Sequence, residues 1–112
     1  MEKIAIDKMA TILKLLGDQT RLTMILLLKE SDCCVCEFVE LFNMSQPSIS
    51  QHVRKLKDAG LVNETRRGQW IFYSLNKEST FYEVILSITE HLPTQEEKII
   101  QLEKLGKKIS CD

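Results

Sequence analysis

Three residues, Asn43-Met44-Ser45, separate two short amphipathic segments, and so brief a connection makes the two helices meet at a tight turn. The first helix is expected over about 35–43, burying Phe38, Val39 and Leu41 or Phe42. Ser45 is placed to cap the second, with Pro47 in its first turn, where a missing N–H leaves no bond unmade. Ile49, Val53, Leu56 and Ala59 form the buried stripe of that helix, and Gly60 closes it. Two β-prone runs follow at once, 61–65 and 69–75, joined through Arg66-Arg67-Gly68, which predicts a hairpin. A tight helix pair followed directly by a basic hairpin is the order of a winged helix-turn-helix, a mainly α fold (α+β) with a small β-hairpin.

The rest of the chain frames that unit. Ile6, Met9, Ala10, Leu13 and Leu16 recur at helical spacing over 3–16, with Ile12 and Leu15 widening the stripe. Gly17 ends this helix and Asp18 caps the next, over about 19–29, which buries Leu22, Ile25, Leu26 and Leu28. A helix opening at Ser79 or Thr80 runs to about Leu92 and stops at Pro93, and Thr94 to Glu97 reads as a capping box for a last helix to about Lys108. The 112 residues hold no repeat and no linker, so 1–112 reads as one domain. Its helix-turn-helix covers about 35–59, its wing about 61–75 and its C-terminal helices about 79–108.

The formal net charge of −1 hides an asymmetry. Residues 45–75 hold Arg54, Lys55, Lys57, Arg66 and Arg67 against Asp58 and Glu64, while both flanks carry more acidic than basic side chains. A local basic patch of this kind is what phosphate contact requires, whatever the whole-chain charge. The second helix of the pair begins with short hydrogen-bonding groups. Gln46, Ser48, Ser50 and Gln51 are candidates for base edges, since Gln pairs with adenine in two places and Ser donates or accepts. Arg54 and Lys55 lie further along, placed for phosphates, and Arg66 and Arg67 at the hairpin tip are expected to reach a neighbouring groove or backbone. His52 reads either as a phosphate contact or as a local structural bond. Alternation turns Trp70 and Phe72 to one side of the hairpin and Ile71 and Tyr73 to the other, most of them as core. Double-stranded DNA is the partner these features imply.

Three of the four cysteines, Cys33, Cys34 and Cys36, fall within four residues at the start of the first helix of the pair. Such neighbours cannot build a disulfide scaffold, which points to free thiols in a reducing cytoplasm. A cluster of thiols is a soft-ligand site, suited to zinc, cadmium, copper(I) or a thiophilic metalloid. The helix N-terminus is expected to lower the thiol pKa. On an intact helix Cys34 and Cys36 diverge, so holding one ion requires an unwound or irregular helix start. The remaining thiol, Cys111, lies in the C-terminal tail, where it is a possible additional ligand. No run is long and apolar enough to span a membrane and no signal peptide is visible, so no membrane partner is expected.

Leu-Gly-Asp-Gln-Thr-Arg-Leu (16–22), Cys-Val-Cys-Glu (34–37), Ser-Gln-Pro-Ser-Ile-Ser-Gln-His (45–52) and Arg-Arg-Gly-Gln-Trp (66–70) together resemble the ArsR/SmtB family, and within it the arsenite-responsive repressors. That resemblance covers most of the chain. It implies a homodimer joined through the first and C-terminal helices, in keeping with apolar faces over 4–16 and 81–92. It also implies repression of a resistance operon, with release from operator DNA when an inorganic ion, As(III) or Sb(III), binds. Neither a permanent cofactor nor catalysis is implied. The family's Cys-x-Cys sensing site matches Cys34 and Cys36. A third cysteine found three residues later in the best-known arsenic sensors is replaced here by Val39, so a third thiolate would come from Cys33 or Cys111, or the site has two thiols. The family's zinc site on the C-terminal helices would find only His91. A cadmium, lead or zinc inducer and a thiol redox switch stand as alternatives. A thiol oxidoreductase built on Cys33-x-x-Cys36 is a more distant one, lacking the βαβ context such a site needs.

Overall fold

The computed structural model describes residues 3–106. Its elements are α1 (Ile6–Leu16), α2 (Gln19–Glu30), β1 (Cys33–Cys34), α3 (Val35–Phe42), α4 (Gln46–Asp58), β2 (Val62–Arg67), β3 (Trp70–Leu75), α5 (Tyr82–Thr89) and α6 (Glu96–Lys104). The centre is α2, where Met24, Ile25, Leu26, Leu27 and Leu28 are all buried. Five consecutive buried positions mean that the helix is enclosed on every side, and α1, α4, α6 and β3 pack around it. Asp18 starts it as expected, its carboxylate accepting from Arg21 N–H at 3.0 Å.

The helix pair and hairpin form as the residue pattern predicts. Phe38 from α3 and Ile49, Val53 and Leu56 from α4 enter one core with Leu61, Val62 and Tyr73. Each such side chain contributes roughly 1.5–3 kcal/mol when fully removed from water. One strand lies outside the sequence reading. Cys33 and Cys34 pair antiparallel with Tyr73 and Phe72, so the sheet has three strands in the order β1-β3-β2. Two residues are too few to show a period of two, and their partners lie almost forty positions away, so local pattern gives no sign of this pairing.

The C-terminal boundaries also differ. Residues 79–81 form turns, with Ser79 Oγ accepting from Phe81 N–H at 3.1 Å, and α5 begins only at Tyr82 and ends at Thr89. The capping box expected at Thr94–Glu97 does not form. Gln95 is the N-cap of α6, which leaves Thr94 one position too early to reach the third helical N–H, and the Gln95 amide turns back to the carbonyls of Pro93 and Thr94. No helix among the described residues is long and apolar enough to cross a membrane.

Candidate nucleic-acid interface and thiol site

The turn between α3 and α4 is set by two residues. Asn43 takes the left-handed conformation (φ 52°), and its N–H closes α3 on the Val39 carbonyl at 2.9 Å. Ser45 Oγ then accepts from Ser48 N–H at 3.3 Å and lies 3.0 Å from Ser48 Oγ, with Pro47 inside the first turn. Ile49, Val53 and Leu56 anchor α4 from below, which leaves Gln46, Gln51, Arg54 and Lys55 exposed and Ser48 and Ser50 half-buried. These six candidate DNA contacts share the outer surface of one rigid helix.

The other basic candidates separate. His52 turns inward: its Nδ1 accepts from Arg21 Nη1 at 3.0 Å and lies 4.0 Å from Asp18 Oδ1, while Arg21 Nε also donates to the Leu15 carbonyl at 2.7 Å. Of its two sequence readings, the geometry is that of the structural bond, joining α4 to the α1–α2 corner. Lys57 is drawn to Glu64, which accepts from it at 3.2 Å and from Tyr73 Oη at 2.9 Å, so this carboxylate ties the end of α4 to both wing strands. The Tyr73 and Lys57 donors hold the Glu64 carboxyl below its ordinary range.

At the wing the turn is Gly68-Gln69, one position later than expected, because β2 continues through Arg67, which pairs with Trp70. Gly68 takes φ +62°, which a two-residue hairpin turn demands. Arg67 is therefore a strand residue and not a tip residue. Its Nη2 donates to Asp32 Oδ2 at 3.0 Å and its guanidinium stands 4.9 Å over the Phe72 ring. Arg66 remains exposed, and its Nε donates to the nearby Gly68 carbonyl at 3.2 Å. The large side chains of β3 divide by depth as well as by face: Phe72 and Tyr73 are buried, but Trp70 and Ile71 are exposed, because the distal half of the wing projects past the core.

Cys34 and Cys36 come together because the helix start is irregular, the condition that helical spacing sets for the two to share an ion. Cys34 is the extended N-cap of α3 (ψ 168°) and only Cys36 lies in the helix, so the two sulfurs meet at 2.7 Å over the first turn. Glu37 completes the start of α3: its carboxylate, itself buried, accepts from Cys34 N–H at 2.9 Å, and its own N–H faces the Cys34 sulfur. This is a capping box with cysteine in the serine position, and the Cys34-x-x-Glu37 spacing carried the signal. Burial, followed by the bond from Cys36, pushes the Cys34 thiol up to about 12 instead of down, so desolvation outweighs the helix N-terminus. Cys36 is exposed. Cys33 faces the core, fully buried, and its sulfur donates to the Ser31 carbonyl at 3.5 Å. Among the described residues no three His, Cys, Asp or Glu side chains are grouped to hold one ion. Cys111 lies outside the described residues.

Residues 18–64 match the model of the bacterial regulatory protein, arsR family. The chain is similar to the arsenic resistance transcriptional regulator ArsR1 of Pseudomonas putida, 43% identical over 68 residues that cover 60% of this chain and 53% of that protein. It is also similar to the transcriptional repressor SdpR of Bacillus subtilis, 43% identical over 61% of this chain and 76% of the relative. Among solved structures, reduced HlyU from Vibrio cholerae superposes with a TM-score of 0.68 at 29% identity, over 80% of this chain and 92% of that one. The chain spans little more than half the length of the arsenic-resistance relatives it matches first.

Proposed function

Because the chain belongs to the arsR family of bacterial regulatory proteins, whose relatives are DNA-binding regulators and not enzymes, we propose that it is a homodimeric repressor that leaves operator DNA when As(III) or Sb(III) binds Cys34 and Cys36. The observation that carries this reading is the meeting of those two thiols at the N-cap of α3. Two adjacent sulfurs are a donor set for a thiophilic ion, and a metalloid that accepts two thiolates needs no third side chain. Binding replaces the thiol protons, so the high Cys34 value makes ion uptake proton-releasing.

The position of the pair gives binding a consequence. The Cys34 sulfur is part of the cap of α3, α3 packs on α4, and the Cys34 backbone is in register with Phe72 of the wing. An ion taking that sulfur acts at once on the helix that orients the base-reading helix and on the sheet that carries Arg66. The DNA-facing set is Gln46, Ser48, Ser50 and Gln51 for bases and Arg54, Lys55 and Arg66 for phosphates. Dimerisation is supported by α1, where Ile6 is 88% and Leu13 50% exposed, and by Leu105 at 55% after α6. Among the described residues, each of those three side chains leaves half or more of its surface open.

The test is release of the reduced protein from its operator while arsenite is titrated, with zinc and cadmium in parallel. Release by arsenite at low concentration is expected. Release by zinc or cadmium alone would move the site or its ligand, and retention under all three would end the proposal.

A further inference from the structure

Of the large apolar side chains exposed among the described residues, Trp70 and Ile71 are the two that the sheet carries. They are neighbours on β3, so they stand on opposite faces of the hairpin. Each has an arginine across the ladder on its own face, Arg67 beside Trp70 and Arg66 beside Ile71. The two pairs differ. Arg67 is drawn back over Phe72 to Asp32, away from the tip, and Trp70 stays exposed beside it. Arg66 bends toward the tip, where its Nε meets the Gly68 carbonyl. The turn itself holds Gly68, which has no side chain, and the exposed Gln69.

Apolar side chains on both faces of one projecting hairpin cannot be covered by a single flat surface; they fit a slot with two walls. The minor groove of B-DNA is such a slot, about 6 Å wide, and the deoxyribose edges of its walls are apolar. The root of the wing is fixed to α4 through Glu64, which accepts from both Lys57 and Tyr73. With α4 in the major groove, the hairpin therefore stands beside the adjoining minor groove.

We propose that the wing straddles this groove, with Trp70 packed on the sugars of one strand, Ile71 on those of the other, and Gln69 facing the base edges. Arg66 meets a phosphate on the Ile71 side. Trp70 and Ile71 add affinity that releases no counterions and so does not weaken with salt. The guanine N2 amino group projects into the minor groove and crowds the turn, so the wing favours A·T pairs beneath it. This inference rests on the DNA-binding half of the proposed function and is independent of the ion.

Trp70 is the sole tryptophan, so its emission reports on the wing. The reduced full chain is titrated with operator DNA while acrylamide quenching is followed, and Trp70→Ala, Trp70→Phe and Ile71→Ala are compared in operator affinity across salt. DNA is expected to shield Trp70 from acrylamide. Trp70→Ala should weaken binding about tenfold and Ile71→Ala about threefold at the parent salt slope, with Trp70→Phe recovering most of the loss. G·C pairs placed under the wing should weaken binding, and inosine·C pairs, which lack the amino group, should restore it. Equal quenching with and without DNA, parent affinity in Trp70→Ala, or equal affinity for G·C and inosine·C would overturn the inference. Loss of the dimer in Trp70→Ala would also overturn it, by assigning the side chain to a second copy. Quenching of the parent protein decides the matter even if Trp70→Ala melts early. A parent protein that binds no operator ends the proposed function as well, whereas one that binds with Trp70 still open to acrylamide ends this inference alone.

Discussion

Arg21 and His52, thirty-one positions apart, are joined by a 3.0 Å hydrogen bond that fixes α4 to the corner between α1 and α2. A guanidinium has only donors, so the His52 Nδ1 accepts and the ring faces inward. His52→Ala should lower unfolding free energy by about 1 kcal/mol, leaving a half-buried guanidinium nitrogen short of a partner. The dependence of log affinity on log salt should stay at the parent slope, because no phosphate contact is lost. A shallower slope in a salt titration would make His52 a backbone contact after all.

The two arginines of the wing should behave differently. Arg66→Ala is expected to weaken binding to all sequences alike and to reduce the salt slope by about one. Arg67→Ala should leave the slope nearer the parent value and instead loosen the wing, since Arg67 is held by Asp32 and Phe72. Parallel salt titrations with thermal melts separate the two effects, and equal slopes lost by both variants would refute the division.

Serine is a better N-cap than cysteine, so Cys34→Ser should fold at least as well as the parent. Its melting temperature is expected within a few degrees, its operator affinity nearly unchanged, and its release by arsenite abolished. Release at the parent arsenite concentration would place the ion elsewhere.

Glu37 is no candidate ligand or DNA contact, yet its buried carboxylate holds the Cys34 N–H. Glu37→Ala should cost about 1–3 kcal/mol in denaturant unfolding, the penalty for orphaning a buried donor. Glu37→Gln, which keeps the acceptor, should recover most of that stability.

Acid and alkali should each unfold the protein through identifiable groups. Asp18, held down chiefly by the Arg21 N–H, and Glu64, held down chiefly by Tyr73, have folded values below their ordinary 3.8 and 4.5. A depressed carboxyl stabilises above its unfolded value and loses that contribution as pH falls through the folded one, so stability should decline below about pH 4. Asp18→Asn should flatten that limb. Cys34 and Tyr73, both pushed up to about 12 chiefly by burial, act in the opposite sense. Their contribution is complete below their unfolded values and is lost as pH rises toward 12, and Cys34→Ser should flatten the alkaline limb. Urea unfolding across the pH range reads all four.

Much of the frame is written locally. The spacing of Phe38, Ile49, Val53 and Leu56, the Ser45 cap and the glycine needed at position 68 determine a helix pair and a hairpin, because apolar periodicity and turn chemistry act over a few residues. The outward residues of α4 follow from the same periodicity. Tertiary structure decided everything that depends on partners far along the chain. It made Cys33-Cys34 a strand by offering β3 as a neighbour, turned His52 inward toward Arg21, and took Arg67 to Asp32. It also brought the Cys34 and Cys36 sulfurs together, since a strand that ends at Cys34 leaves that residue outside the helix whose spacing would have parted them. Side-chain direction in a folded chain is set by burial and pairing across long sequence separations, and those are energies that no local window contains.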